Sequence, residues 1–467
     1  MGTEDSWEQM LRRLLGDQNA ERAIEQIRNM GVDPAVFMGN LPSDPTVLEH
    51  LSHQVREMFN EDPLNWKAVA DLARMKIATD PQISATQAAR GRQALTVADL
   101  WLDSATALTP KTPERTIWSR ATWISKTLST WKTLTEPVAR RAISAVTSSI
   151  EGTIAAPLLG EGLLGDLQPQ QVSAHMAGSV FGAQIGQAIG TLASEAFGST
   201  DTGLPLSGES VTALVYANVE AFGEDLDISS EDVLMFLAVR EAAHARLFTA
   251  APWLRSYLLR AIEKYASQIE FDMSTVIEKL QQVDGLNPNK IQELLVGSIN
   301  ATADSRKQLE ARSEVETILA VIEGWVEVVT GQACAPFMAS IHSLREMMRR
   351  RRAIGGPAEK VLAQLIGLEL RPKRARDAAQ IWELLTTKLG VEERDKLWSH
   401  PDVMITKTEL ENPNDFLTNR RAAAAADAKV DADLAAILEG TLGYAEGLNE
   451  GEDSPGDSRQ TPPAGEK

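Results

Sequence analysis

Cysteine is nearly missing from this chain: Cys334 is the single copy in 467 residues. An internal disulfide is thereby excluded, and so is a zinc site built from several thiolates. Such a sequence suits a reducing compartment, and a cytoplasmic location is the expectation. Positive charge is also in short supply. The 46 Lys and Arg residues face 65 Asp and Glu, a net charge of −19. That balance argues against a general grip on nucleic acid or an anionic membrane, because both require cationic surface. No run of about 20 apolar residues occurs, so no membrane span is expected. The first sixteen residues lack the basic-then-apolar pattern of a secretory leader. Glycine and proline stand at ordinary levels, which excludes collagen-like and wholly disordered readings.

What is present is helical patterning. Apolar residues recur with 3.6-type spacing over 6–30, 46–59, 64–78, 84–107 and 114–150, with breaks at Gly31, Pro42, Pro63 and Pro81. Trp118, Trp123 and Trp131 in the last of these read as core packing. Gly178, Gly182, Gly186 and Gly190 fall every four residues, a small-residue stripe that lets another backbone approach closely. Residues 211–222 are rich in β-branched and aromatic types and read as an edge or hairpin strand. The helical pattern then resumes and runs through an Ala-rich segment. The fold class is therefore mainly α, a multi-helical body with a small β element. Four regions are drawn: an N-terminal helical region 1–83, a main helical domain 84–420, an Ala-rich helix 421–446 and a disordered acidic tail 447–467.

The chemistry concentrates in Val233–Phe248. Val233, Phe236, Leu237, Leu247 and Phe248 share one face of a helix. Arg240, Glu241 and His244 fall on that same face, while Met235, Ala238, Ala242 and Arg246 point the other way. A cation, a carboxylate and an imidazole turned into a core need partners, because unpaired buried charge is costly. Two readings of Glu-x-x-His are open here. One is a buried Arg–carboxylate pair with a hydrogen-bonded core histidine. The other is a relic of His-Glu-x-x-His, in which two imidazoles one turn apart hold zinc and the glutamate acts as base. Glu323, on the shoulder of an apolar stripe in 314–330, can serve either reading, as a third metal ligand or as the partner of Arg240. Residues 342–376 carry ten Lys and Arg against three Glu and read as a solvated face, with phosphate or nucleic-acid binding the lesser reading because no aromatics are interleaved.

Together these features resemble an actinobacterial zincin-like family of zinc-dependent metalloproteases, hydrolases associated with deazaflavin-cofactor biosynthesis. The resemblance spans 85–420. It rests on the tryptophan-bearing helix with Glu136-Pro137-Val138, the glycine stripe, Leu204-Pro205 and the signature helix with Pro252-Trp253-Leu254. Ile322-Glu323-Gly324-Trp325 and Gly355-Gly356 followed by Leu365–Leu370 complete it. It implies zinc as cofactor, Glu241 as catalytic base and His244 as a metal ligand, with Glu323 the candidate for a further ligand if zinc binds. The sequence departs from the pattern where the first histidine would stand: the motif reads Arg240-Glu241-Ala242-Ala243-His244. Arginine stays protonated and offers only donors, so it cannot ligate zinc. The implied function is a family member with impaired or lost zinc binding that keeps a cleft for a peptide or protein segment. The alternative is an active zinc metallopeptidase using Glu241 as general base.

Overall fold

The computed structural model describes residues 62–77, 79–110, 114–150, 169–200, 203–207, 211–224, 227–269, 305–353, 356–366, 368 and 373–438. The helical stretches expected at 6–30 and 46–59 and the acidic tail lie outside them.

Local signals set the first elements. Asn65 caps α1 (Trp66–Lys76), its side chain accepting from the Ala68 amide. Ser84 and Gln87 form a reciprocal capping box at the start of α2 (Ala85–Leu102). A strand, β1 (Glu114–Trp118), then precedes the 31-residue α3 (Arg120–Ile150), which continues through Pro137. The sequence reading ran one helix over 114–150, so this is a correction. The run Thr116-Ile117-Trp118 prefers extended backbone, and Ser119 starts the helix by accepting from the Thr122 amide at 3.2 Å.

The glycine-striped helix is α4 (Pro169–Ala193). It packs on α1 and α3. A Cβ added at Gly186 would lie 2.8 Å from the Val69 carbonyl, and one at Gly190 2.6 Å from that of Ala73. The stripe is where the α1 backbone lies against α4.

A second correction concerns 211–222. Only Val211–Val215 is a strand, β2, and Tyr216–Gly223 is a helix, α5. β2 is no hairpin strand. It pairs in parallel with β1, from Glu114 opposite Val211 to Trp118 opposite Val215. Parallel neighbours need a crossover, here supplied by α3 and α4. The other edge of β2 is engaged too: the Val215 amide donates to the Phe197 carbonyl at 2.8 Å and the Ser199 amide to that of Ala213 at 3.1 Å. All five residues of β2 are buried.

Two helices make the centre. α6 (Ser230–Ala250) is the signature helix, capped by Ser229 with Glu231 and Asp232 in its first turn, where acids suit the positive end of the helix. α8 (Arg306–Cys334) is long and apolar enough to cross a membrane by length and composition, and 89% of that apolar window is buried inside the fold. It runs against α6, against α7 (Pro252–Ala266) and against α11 (Lys373–Leu389). Trp325 on α8 is fully buried and donates to Asp395 at 2.9 Å. Trp118, Trp123 and Trp131 are core residues, as read. Cys334 is buried, and burial together with nearby Asp232 pushes its thiol up to about 12.

Between these lie α9 (Ile341–Ala353) and α10 (Pro357–Ile366), with α12 (Val391–Asp395) and α13 (Lys407–Glu411) after α11. The first compact unit ends at Leu410, within α13. Residues 411–467 form a second unit, whose described part holds α14 (Phe416–Leu438). This Ala-rich helix is exposed along most of its length, with Arg420 stacked over the Phe416 ring at 4.9 Å. The protein is mainly α, with one two-stranded sheet among the described residues.

Candidate functional site

The site begins with the surroundings of α6. The sequence gives it one apolar stripe, yet every residue from Val233 to Leu247 is buried. The face that carries Arg246 is therefore inside as well. Arg246 meets Asp99 at 3.1 Å and Asp103 at 2.8 Å, two acids near the end of α2. A helix enclosed on all sides must satisfy its charged groups within the protein.

On the opposite face, Arg240 and His244 reach α8. Arg240 Nη2 donates to Glu323 Oε2 at 3.2 Å. His244 Nε2 lies 3.1 Å from Glu323 Oε1, and its Nδ1 lies 3.0 Å from the carbonyl of Arg240. A second arginine, Arg352 at the end of α9, also pairs with Glu323 Oε2. The four side chains are buried or nearly so. Burial works to raise the Glu323 pKa, but Arg352, Arg240 and His244 outweigh it and hold the carboxyl well below its usual range.

Glu241 is engaged differently. Its carboxylate accepts from the Ser199 hydroxyl and from the Thr200 amide, at 3.1 Å to Oε1 and 3.3 Å to Oε2. Gly198 makes room for this: a Cβ there would collide with the Glu241 carboxylate and sit 2.6 Å from the Ala213 carbonyl. Trp123 fixes the same turn by donating to the Gly198 carbonyl at 3.0 Å. Farther along, Gly203 adopts φ +70°, a left-handed conformation that glycine takes without steric cost, and lies against Glu323 Oε1. Residues 198–200 thus lie against one acid of the site and Gly203 against the other. The structure brings Arg240, His244 and Glu323 together and ties Glu241 to the segment beside β2.

Sequence reasoning missed Arg352, Ser199 and Thr200. Arg352 belonged to a basic run read as solvated. Ser199 and Thr200 sit in a stretch with no periodicity, and their position follows from the pairing of 197–199 with β2.

The donor set does not fit zinc. Zinc in such a site needs about three neutral or anionic protein ligands with lone pairs aimed at the ion. The first ligand position of the motif carries a guanidinium. Glu323 already answers two cations. His244 turns Nδ1 to the Arg240 carbonyl and Nε2 to Glu323, so neither ring nitrogen is offered outward. Among the described residues, no group of three His, Cys, Asp or Glu side chains is placed to hold a metal.

The family model described as zincin-like metallopeptidase matches residues 64–417. No curated protein matches the chain. Among solved structures, the chain is similar to a Chloroflexus aurantiacus protein described as a candidate hydrolase with a novel fold. The two share 14% identity at a TM-score of 0.52, over 77% of this chain and 99% of the other, a likeness of fold.

Proposed function

The chain belongs to the zincin-like metallopeptidase family, and on that premise we propose that its signature site has lost zinc-dependent hydrolysis and is kept for binding a peptide or protein segment. The observation that carries this is Glu323. As the candidate further ligand this carboxylate would stand beside a metal cation, and here two guanidiniums and an imidazole converge on it. The positive charge that zinc would bring is built into the chain. A zinc ion entering this place would meet two fixed cations at close range, where repulsion in a buried setting is strong. Glu241 keeps the position of the general base, but its carboxylate is spent on hydrogen bonds from Ser199 and Thr200. In this reading Glu241 is an anchor for the loop over the site. The narrower likeness, to the actinobacterial branch associated with deazaflavin-cofactor biosynthesis, belongs to the proposal and rests on the motifs quoted above.

The test is metal content. Chain dialysed against excess zinc and then desalted is expected to retain far less than one equivalent by elemental analysis. It is expected to cleave no generic peptide substrate with zinc added. The double substitution Arg240→His with Arg352→Gln restores a ligand and removes the second cation, and is expected to raise retained zinc. Near-stoichiometric zinc in the unaltered chain, lost on Glu323→Gln, would sink the proposal and favour an active metallopeptidase with Glu241 as base.

A further inference from the structure

We propose that α14 is a pairing helix, which binds the α14 of a second copy of this chain in antiparallel orientation. Val430, Leu434, Ile437 and Leu438 fall at i, i+4, i+7 and i+8, so they share one face. All four are between 52% and 78% exposed. No other described element carries more than one large apolar side chain that is more than half exposed. Apolar side chains scattered singly over a surface are ordinary, whereas a contiguous row marks a contact. Toward the N-terminus Ala423 and Ala426 continue the same face, so the row is bulky at one end and shallow at the other.

Two properties select a reversed copy as the occupant. The first is size. Antiparallel pairing sets the bulky end of each row against the alanines of the other, so large meets small along the contact. Parallel pairing would set bulk against bulk and hold the alanine ends apart. The second is charge. Residues 416–426 carry Arg420 and Arg421 and no acid, whereas 427–438 carry Asp427, Asp431 and Asp433 against Lys429. One half is thus two charges positive and the other two charges negative. This order gains nothing from the helix dipole, which favours acids early and cations late. A reversed copy places each half beside its opposite and opposes the two dipoles, in a contact that is its own complement under a two-fold axis.

Asp427 and Asp433 border the row, which weighs against an anionic membrane as the occupant. The contact is modest. A 23-residue helix is about 34 Å long, and a contact on the scale of one helix pair belongs to the small, reversible class of interfaces. Apolar burial supplies the affinity, and the surface charges decide the orientation more than the strength. The inference concerns residues 416–438 alone and is independent of the loss of zinc.

Sedimentation equilibrium of the full chain tests this at about 0.15 M sodium chloride, where a screening length of about 8 Å mutes the net −19 of each copy while sparing close contacts. The mass is expected to climb from one chain's to two as the concentration rises from micromolar toward millimolar. Leu434→Asp with Ile437→Asp alters only exposed side chains, so it spares the fold and is expected to weaken the dimer about tenfold or more. Asp431→Lys with Asp433→Lys makes both halves positive and is expected to weaken it several-fold. Adding Arg420→Glu and Arg421→Glu inverts the whole pattern and is expected to restore it. A chain that keeps the mass of one copy throughout would overturn the proposal. Maleimide labelling of Leu434→Cys then finds the occupant, since the native Cys334 is buried. Slow labelling in such a monomer would give the row to another segment of this chain. A dimer indifferent to the Leu434→Asp pair would be joined elsewhere, and one indifferent to the aspartate reversal would be parallel; either outcome overturns the assignment.

Discussion

Glu323 is the residue on which the most charges converge. Its carboxyl titrates below the ordinary value of 4.5 because Arg352, Arg240 and His244 oppose and outweigh burial. The folded state therefore binds its proton less readily than the unfolded chain does. The stabilisation is complete at neutral pH and drains away as the pH falls below about 4.5 and through the lower folded value. Removing the acid leaves two guanidiniums enclosed without their partner. Glu323→Gln is expected to cost about 3–5 kcal/mol at pH 7, with the gap to the unaltered chain narrowing in acid. Urea unfolding of both proteins at pH 7 and near pH 4 measures this, and a gap that stays constant with pH would count against the assigned charge state. The Arg240–Glu323 pair was legible in the sequence, because a cation and an acid each fell on the apolar stripe of a core helix. Arg352 was not. Periodicity says which residues share a face of α9, but only packing against α6 and α8 decides that this face turns inward.

At the scale of elements, the glycine stripe of α4 was readable as a contact and its partner was not. Spacing marks a groove; it does not say which backbone fills it. The contrast between two neighbouring glycines tests the contact. A Cβ at Gly186 would stand 2.8–2.9 Å from Val69 and Leu72, whereas one at Gly182 meets Val69 at an ordinary 3.4 Å. Gly186→Leu is expected to destabilise by about 1–3 kcal/mol or more through overpacking. Gly182→Ala is expected to be neutral or to stabilise by up to about 1 kcal/mol through helix propensity. Thermal melts of the two variants check both, and equal losses would mean that α1 does not lie along this stripe. The strands were the poorer reading. β1 is five residues long and runs almost directly into a 31-residue helix, so the helical spacing beyond it hid the boundary that Ser119 marks. β2 carried a strand composition, but being buried throughout it offered no alternation, and its parallel partner lies far away in sequence.

For the molecule as a whole, helical periodicity was enough for the fold class. It was not enough for the assembly around α6, because a helix buried on every side shows only its most apolar stripe to a pattern search. Arg246 and its two acids on α2 illustrate this: their pairing joins residues more than a hundred positions apart. The same distance governs how the protein comes to be. β1 and β2 can zip only after α3 and α4 have closed a loop of nearly a hundred residues, and such long-range closures slow folding. The turn that supplies Glu241 with its donors hangs on the outer edge of β2. Early collapsed chains should thus hold formed helices around a carboxylate still waiting for its loop. Pulse-labelled hydrogen exchange during refolding is expected to protect the Val215 amide after those of α3. Simultaneous protection would mean that the strands meet at the outset, and that this corner of the molecule is where folding begins.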